Sequence, residues 1–138
     1  MKHIDIALSA YYGETEIPGA KSNSVISRFF SRLGFNYGDD TAWCSAFANA
    51  VCADAGLPIT KQLNARSWLN IGQKVEIPQL GDICVLWRVS PSSWQGHVAF
   101  FIRETKDRVY LLGGNQGTSV NISSFPKSQV LGYRRIIS

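Results

Sequence analysis

Three residues at separated points of the chain form a set able to perform nucleophilic acyl transfer: Cys44, His97 and Asn115. In such chemistry a thiolate attacks a carbonyl, an imidazolium protonates the leaving amine, and an amide holds the ring in the useful tautomer. Each of the three stands at the end of an expected element, where chemistry is usually displayed. Cys44 lies in Asp39-Asp40-Thr41-Ala42-Trp43-Cys44-Ser45-Ala46-Phe47, where a polar turn gives way to an amphipathic helix. The unpaired N–H groups and positive dipole end of that helix are expected to lower a thiol pKa from its usual ~8.5. His97 follows Gly96 and starts an apolar strand, and Asn115 follows Gly113-Gly114 at the end of the next strand. Each residue alone has a plain alternative. Free cysteines are mostly small buried hydrophobes, a histidine can be a satisfied structural one, and Gly-Gly-Asn suits a left-handed turn.

The elements that must position these groups follow from hydrophobic period. Ile4, Leu8 and Tyr11 have helical spacing ended by Gly13, with His3 expected at the frayed, surface-exposed start. A loop over 14–20 follows. Asn23 or Ser24 then caps a second helix that carries Val25, Ile26, Phe29, Phe30 and Leu33 on one face and stops at Gly34. The third helix runs from about Trp43 to Ala55, with Phe47, Val51 and Ala55 as its inward stripe and Cys52 as packing. A short fourth helix covers 65–70. From Pro78 the period shortens, and strands are expected at 83–87, 98–102, 109–112, 119–122 and 130–134, with a hairpin turn over 104–108. Helices followed by an antiparallel sheet give an α+β class, with N-terminal helices packed on a C-terminal sheet.

Composition narrows the function classes. With 138 residues, 45% of them hydrophobic, one domain over 1–138 is expected. No run approaches the ~18 apolar residues of a membrane span, and Met1-Lys2-His3-Ile4-Asp5 lacks the apolar stretch of a signal peptide, so synthesis in the cytoplasm is the expectation. Cys44, Cys52 and Cys84 cannot all pair and show no C-x-x-C spacing, which argues against a disulfide scaffold or a zinc site. The net charge of +4 is uneven: residues 1–60 hold four Lys/Arg against six Asp/Glu, and 61–138 hold ten against four. That basic half suits a polyanion or a solvated surface, but no interleaved basic and aromatic run supports nucleic acid. Asp39-Asp40 and Glu14-x-Glu16 lack EF-hand spacing and read as solvated turns, so neither metal nor cofactor is required.

Taken in order, Trp43-Cys44-Ser45-Ala46-Phe47, Pro78-x-x-Gly81-Asp82-Ile83, Gly96-His97-Val98-Ala99 and Gly113-Gly114-Asn115-Gln116 resemble the CHAP and NlpC-type cysteine hydrolases of bacterial cell walls, whose cores are papain-like. The likeness runs from Ile4 to Arg135. It is greatest to small phage and bacterial members with Ser-Trp-Gln-Gly-His and Leu-Gly-Gly-Asn-Gln segments, matched by Ser93 to His97 and Leu112 to Gln116. The resemblance implies Cys44 as nucleophile, His97 as general base and Asn115 as the polar third residue. Many CHAP members carry a Glu near that third position, where this chain has Gly113-Gly114, so Gln116 stands beside Asn115 as an orienting candidate. The backbone N–H of Cys44 serves the oxyanion hole, with a side chain from 36–40 as one possible second donor.

The implied reaction is hydrolysis of a peptidoglycan amide, either between N-acetylmuramic acid and L-alanine or within the stem peptide. Trp43, Trp68, Trp94, Gln95 and Gln116 are then the substrate-lining candidates, with Trp87 as a further exposed indole. Arg66, Arg88 or Arg103 would pair with stem-peptide carboxylates. On this reading a monomer acts in the periplasm or wall, delivered by a holin or a secretion system, and an injected effector would have an immunity protein as partner. An acyltransferase or deamidase on the same dyad, or a wall-binding module without catalysis, are the alternatives.

Overall fold

The computed structural model describes residues 2–18 and 22–137; Met1, Gly19, Ala20, Lys21 and Ser138 lie outside the described residues, and with them the last two positions of the 14–20 loop. The chain begins with α1 (Lys2–Ile6), which widens into a π-helical turn over Ala7–Tyr11, followed by α2 (Ser24–Ser31), α3 (Cys44–Asp54) and a 3₁₀ turn over Ala65–Asn70. The strands are β1 (Gln73–Val75), β2 (Ile83–Trp87), β3 (Gly96–Glu104), β4 (Arg108–Gln116), β5 (Ser119–Pro126) and β6 (Val130–Arg135). They form one antiparallel sheet in the order β1-β6-β2-β3-β4-β5. The architecture is α+β, with helices first and sheet after.

Local chemistry explains the helices. Asn23 caps α2, its Oδ1 accepting from the N–H groups of Val25 at 2.8 Å and Ile26 at 3.2 Å. From Cys44 to Cys52 every residue of α3 is buried, because α1 and α2 cover one side and the sheet the other. Small residues allow this enclosure: a Cβ on Gly114 of β4 would lie 2.6 Å from the Trp43 ring and 2.7 Å from Phe47 Cβ. The strand faces alternate. Val98, Phe100 and Leu112 pack with Cys44, Phe47 and Phe30, while Cys84, Leu86, Ala99 and Leu111 form a second apolar layer behind the sheet.

Two expectations at the N-terminus are corrected. His3 is buried: its Nε2 lies 2.7 Å from the Gly81 carbonyl oxygen and its ring packs on Phe100. Leu8 is exposed, because the wider π turn rotates it away from the inward side that Ile4 and Ala7 occupy. Strand β1 was not expected, having three residues and no apolar alternation.

Candidate active site

Cys44 opens α3, and its sulfur lies where β3 and β4 part. The ladder between these strands runs from Glu104↔Val109 to Phe100↔Leu112, so Val98 lies beyond its end. Phe101 donates its N–H to Asp82 O at 2.7 Å and accepts from Gly81 N–H at 2.8 Å, both on the β2 side. Neighbouring residues alternate, so the N–H of Val98 turns toward β4. There it is directed at the sulfur of Cys44. Burial dominates the ionisation of this thiol and holds its pKa above the ordinary value. Opposing it are the N–H of Val98, the positive charge of Arg88, and the N–H groups of Ser45 and Cys44. The expected depression by the helix terminus is therefore corrected: its N–H groups act in that direction, but loss of hydration is larger.

His97, the second residue of β3, is 1% exposed. Its cross-strand partner is Leu86, and its ring lies 5.3 Å from that of Phe125, which places it in the layer behind the sheet. Its Nε2 is 3.0 Å from Gln116 Oε1. The orientation of that amide is fixed, because Gln116 Nε2 donates to the carbonyls of Leu111 at 3.1 Å and Asn121 at 2.8 Å. An amide whose N–H groups are committed offers only its oxygen, so the proton of the ring sits on His97 Nε2 and Nδ1 keeps a lone pair. Nδ1 is buried and has no hydrogen-bond partner. It is the ring nitrogen nearer the backbone, and the next N–H along that backbone faces the sulfur. Burial lowers the His97 pKa to about 4 against the upward pull of the Gln116 hydrogen bond, with the charge of Arg88 adding to the fall. The ring is neutral at neutral pH.

The residue that meets the imidazole is Gln116, and not Asn115. Simple alternation would put Asn115 on the face of Gly113, toward His97. Asn115 instead has φ +59°, and the β4–β5 register shifts between Gly113 and Gln116. This bulge turns the next side chain, Gln116, onto the face expected for Asn115. The amide then occupies the space over Gly113, where a Cβ would stand 2.5 Å from Gln116 Oε1 and 2.7 Å from Ala99 Cβ. A glutamate at position 113 would displace it.

A cleft of about 320 Å³ opens onto Cys44, walled by residues 63–65 on one side and by Arg88, Trp94 and Gln95 on the other. Trp94 is 75% exposed at its edge. Trp43, Trp68 and Gln116, expected to line the cleft, are buried away from it: Trp43 Nε1 donates to Glu16, Trp68 Nε1 to Ser45 Oγ at 3.0 Å, and Gln116 is held against His97. Trp87 is half-buried, donating to the Ser128 carbonyl. Among the described residues, none of 36–40 lines this cleft.

Sequence reasoning missed the pair that anchors residues 60–62, the segment leading into the 63–65 wall. Ser45 Oγ donates to Gln62 O at 2.7 Å, and Asn49 Oδ1 accepts from Thr60 N–H at 3.0 Å and Lys61 N–H at 2.9 Å. The signal was present as two polar residues spaced i, i+4 in a run, 44–53, otherwise made of apolar side chains. The acidic turn is also corrected, since Asp39 is buried rather than solvated. Its Oδ2 accepts from Asn23 N–H at 2.9 Å and Ile17 N–H at 2.8 Å, and these bonds hold its carboxyl below the usual range. Among the described residues no group of three His, Cys, Asp or Glu side chains is placed to hold a metal ion.

A cysteine at a helix start, facing a seam between two strands that carry a histidine and an amide, defines the papain-like class of α+β folds. The CHAP domain model matches residues 36–115, more than half of the chain, and the chain belongs to that family. It is a family of peptidoglycan hydrolases, generally cysteine peptidases. Among solved structures the chain is similar to a protein from Staphylococcus aureus subsp. aureus Mu50 described as similar to lipoprotein, NLP/P60 family, at 19% identity and TM-score 0.57. The match covers 99% of this chain and 41% of that protein, so the chain spans about two fifths of its length. No curated protein matches the chain. No described helix is long and apolar enough to cross a membrane.

Proposed function

We propose that this protein hydrolyses an amide bond of peptidoglycan through an acyl-enzyme on Cys44. The observation that carries the reading is the unpartnered, buried Nδ1 of His97, one residue before Val98, whose N–H is directed at the Cys44 sulfur, with Nε2 anchored on Gln116. When substrate enters the cleft, Nδ1 takes the thiol proton as sulfur bonds to the carbonyl carbon. The Cys44 N–H at the helix start stabilises the oxyanion. The imidazolium then gives its proton to the leaving amine, the C–N bond breaks, and a thioester remains. Water, deprotonated by the same nitrogen, releases the acid and restores the thiol. A pair that rests neutral and separates charge only in a water-poor site needs the fixed amide of Gln116 to stabilise the imidazolium.

The test is incubation of purified sacculi with the protein and with Cys44→Ala, followed by mass spectrometry of released muropeptides. New amine termini with the first protein and none with the second are expected. Identical products from both would remove the nucleophile from the scheme.

A further inference from the structure

The cleft wall carries an arginine whose two rivals are committed elsewhere. Arg66 is spent on the loop itself: Nε donates to Gln95 O at 2.9 Å, and its terminal nitrogens to Pro91 O at 2.9 Å and Ser90 O at 3.1 Å. Arg103 lies 3.7 Å over the ring of Tyr110, at the far end of β3. Arg88 is exposed, lines the cleft together with Cys44, and has no acidic residue beside it among the described lining residues. Its position is set by its own backbone, Arg88 N–H donating to Gln95 O and Ser90 N–H closing onto Arg88 O at 2.8 Å. Trp94, on the loop held by Arg66, supplies an exposed apolar plane at the same mouth.

From this arrangement we propose that Arg88 forms a carboxylate subsite, so that the preferred substrate is an amide flanked by a free carboxylate. The inference rests on the function proposed above and narrows it. A guanidinium fork pairs with a carboxylate through two charged hydrogen bonds, and a carboxamide of the same shape returns only a weaker neutral contact. Within peptidoglycan the lactyl-to-alanine amide has no free carboxylate on either flanking residue, whereas a γ-linked glutamate places its free α-carboxylate on the acyl side of the amide it forms and on the amine side of the amide before it. The bond selected is therefore one in the stem peptide.

The experiment uses two synthetic stem peptides that differ only in a free α-carboxylate or a carboxamide on the γ-linked glutamate. Hydrolysis is followed with the intact protein and Arg88→Gln, and binding with Cys44→Ala and with Cys44→Ala plus Arg88→Gln, read by tryptophan fluorescence. The carboxylate peptide should be favoured on the order of ten- to a hundred-fold in kcat/KM and in affinity, and Arg88→Gln should bring the two peptides to the same value. Hydrolysis without preference, or a preference that survives Arg88→Gln, overturns the subsite and leaves the hydrolase reading standing. Preferential binding without hydrolysis keeps the subsite and overturns the hydrolase reading. Neither binding nor hydrolysis overturns both.

Discussion

The amide oxygen of Gln116 faces His97 Nε2 at 3.0 Å because the amide nitrogen is already committed to the carbonyls of Leu111 and Asn121. One side chain thus sets both the position and the tautomer of the ring. Gln116→Ala should lower kcat on the order of a hundred-fold or more, as expected when an imidazole loses its orienting partner. Asn115→Gly should stay within a few-fold of the parent, since φ +59° is a conformation glycine adopts freely. Rates on sacculi decide between the two positions. A large loss at Asn115 with little at Gln116 would return the orienting role to Asn115.

The buried ring gives stability a pH dependence of definite sign. His97 titrates near 6.5 when unfolded and at about 4 in the fold, so the native state binds its proton less readily. The contribution is complete above pH 6.5 and is lost as pH falls toward 4, with a total on the order of 3 kcal/mol. Urea unfolding at pH 7, 5.5 and 4 should show this decline, and His97→Gln should flatten that part of it. Activity should hold to about pH 5, because the free base stays unprotonated there. An acid limb centred at the ordinary histidine value would contradict the burial of the ring.

What was legible in the sequence, and what was not, follows from the range of each physical signal. Period alone located α2, the helix α3 that Cys44 opens and the strand that carries His97, because those positions depend on local periodicity. The choice between Asn115 and Gln116 was not legible, since a single left-handed residue reverses the parity on which alternation depends. Burial of His3 depends on the Gly81 carbonyl, 78 positions away, which no local pattern reports. The raised thiol of Cys44 likewise reflects how far the sheet and the 63–65 wall exclude water. The helix terminus could be read in advance, but its enclosure could not.

Thiol reactivity should separate the three cysteines. Cys52 and Cys84 are fully buried, with thiols pushed up to about 12 by burial, whereas Cys44 lines a cleft and has N–H groups and Arg88 favouring its thiolate. Iodoacetamide on the native protein should modify Cys44 first, with a rate that climbs with pH because its own thiol also lies above the ordinary value. Peptide mapping by mass spectrometry reads the order. Equal labelling of the three would mean that Cys44 is no more accessible than the packing cysteines.

Arg66 positions the wall that carries Trp94 and Gln95 through its three carbonyl contacts. Lysine keeps the charge but cannot span carbonyls spread along the loop from Ser90 to Gln95. Arg66→Lys should raise KM on the order of ten-fold with a smaller change in kcat, because the loop binds substrate while Cys44 and His97 stay in place. If kcat fell and KM held, the loop would be acting on the reacting pair instead.

Val89 is the strained point of the cleft. Its φ is +68°, and the Ser90 N–H bond to Arg88 O closes a γ-turn of the less favourable hand around it. A β-branched residue pays about 1–3 kcal/mol for such a conformation. The side chain is 80% exposed, so burial does not repay it. Asparagine, lacking a branched Cβ, meets a positive φ with less strain than valine and without glycine's added freedom in the unfolded chain. Val89→Asn should therefore stabilise the fold by about 1 kcal/mol, a rise of roughly 4 °C in Tm by calorimetry. The turn also sets the direction in which Arg88 leaves β2, so the two effects can be told apart. If the Asn variant keeps the turn, KM stays at its parent value while Tm rises. If Tm falls, the valine is held by contacts that outweigh its backbone strain, and the turn is part of a packed wall.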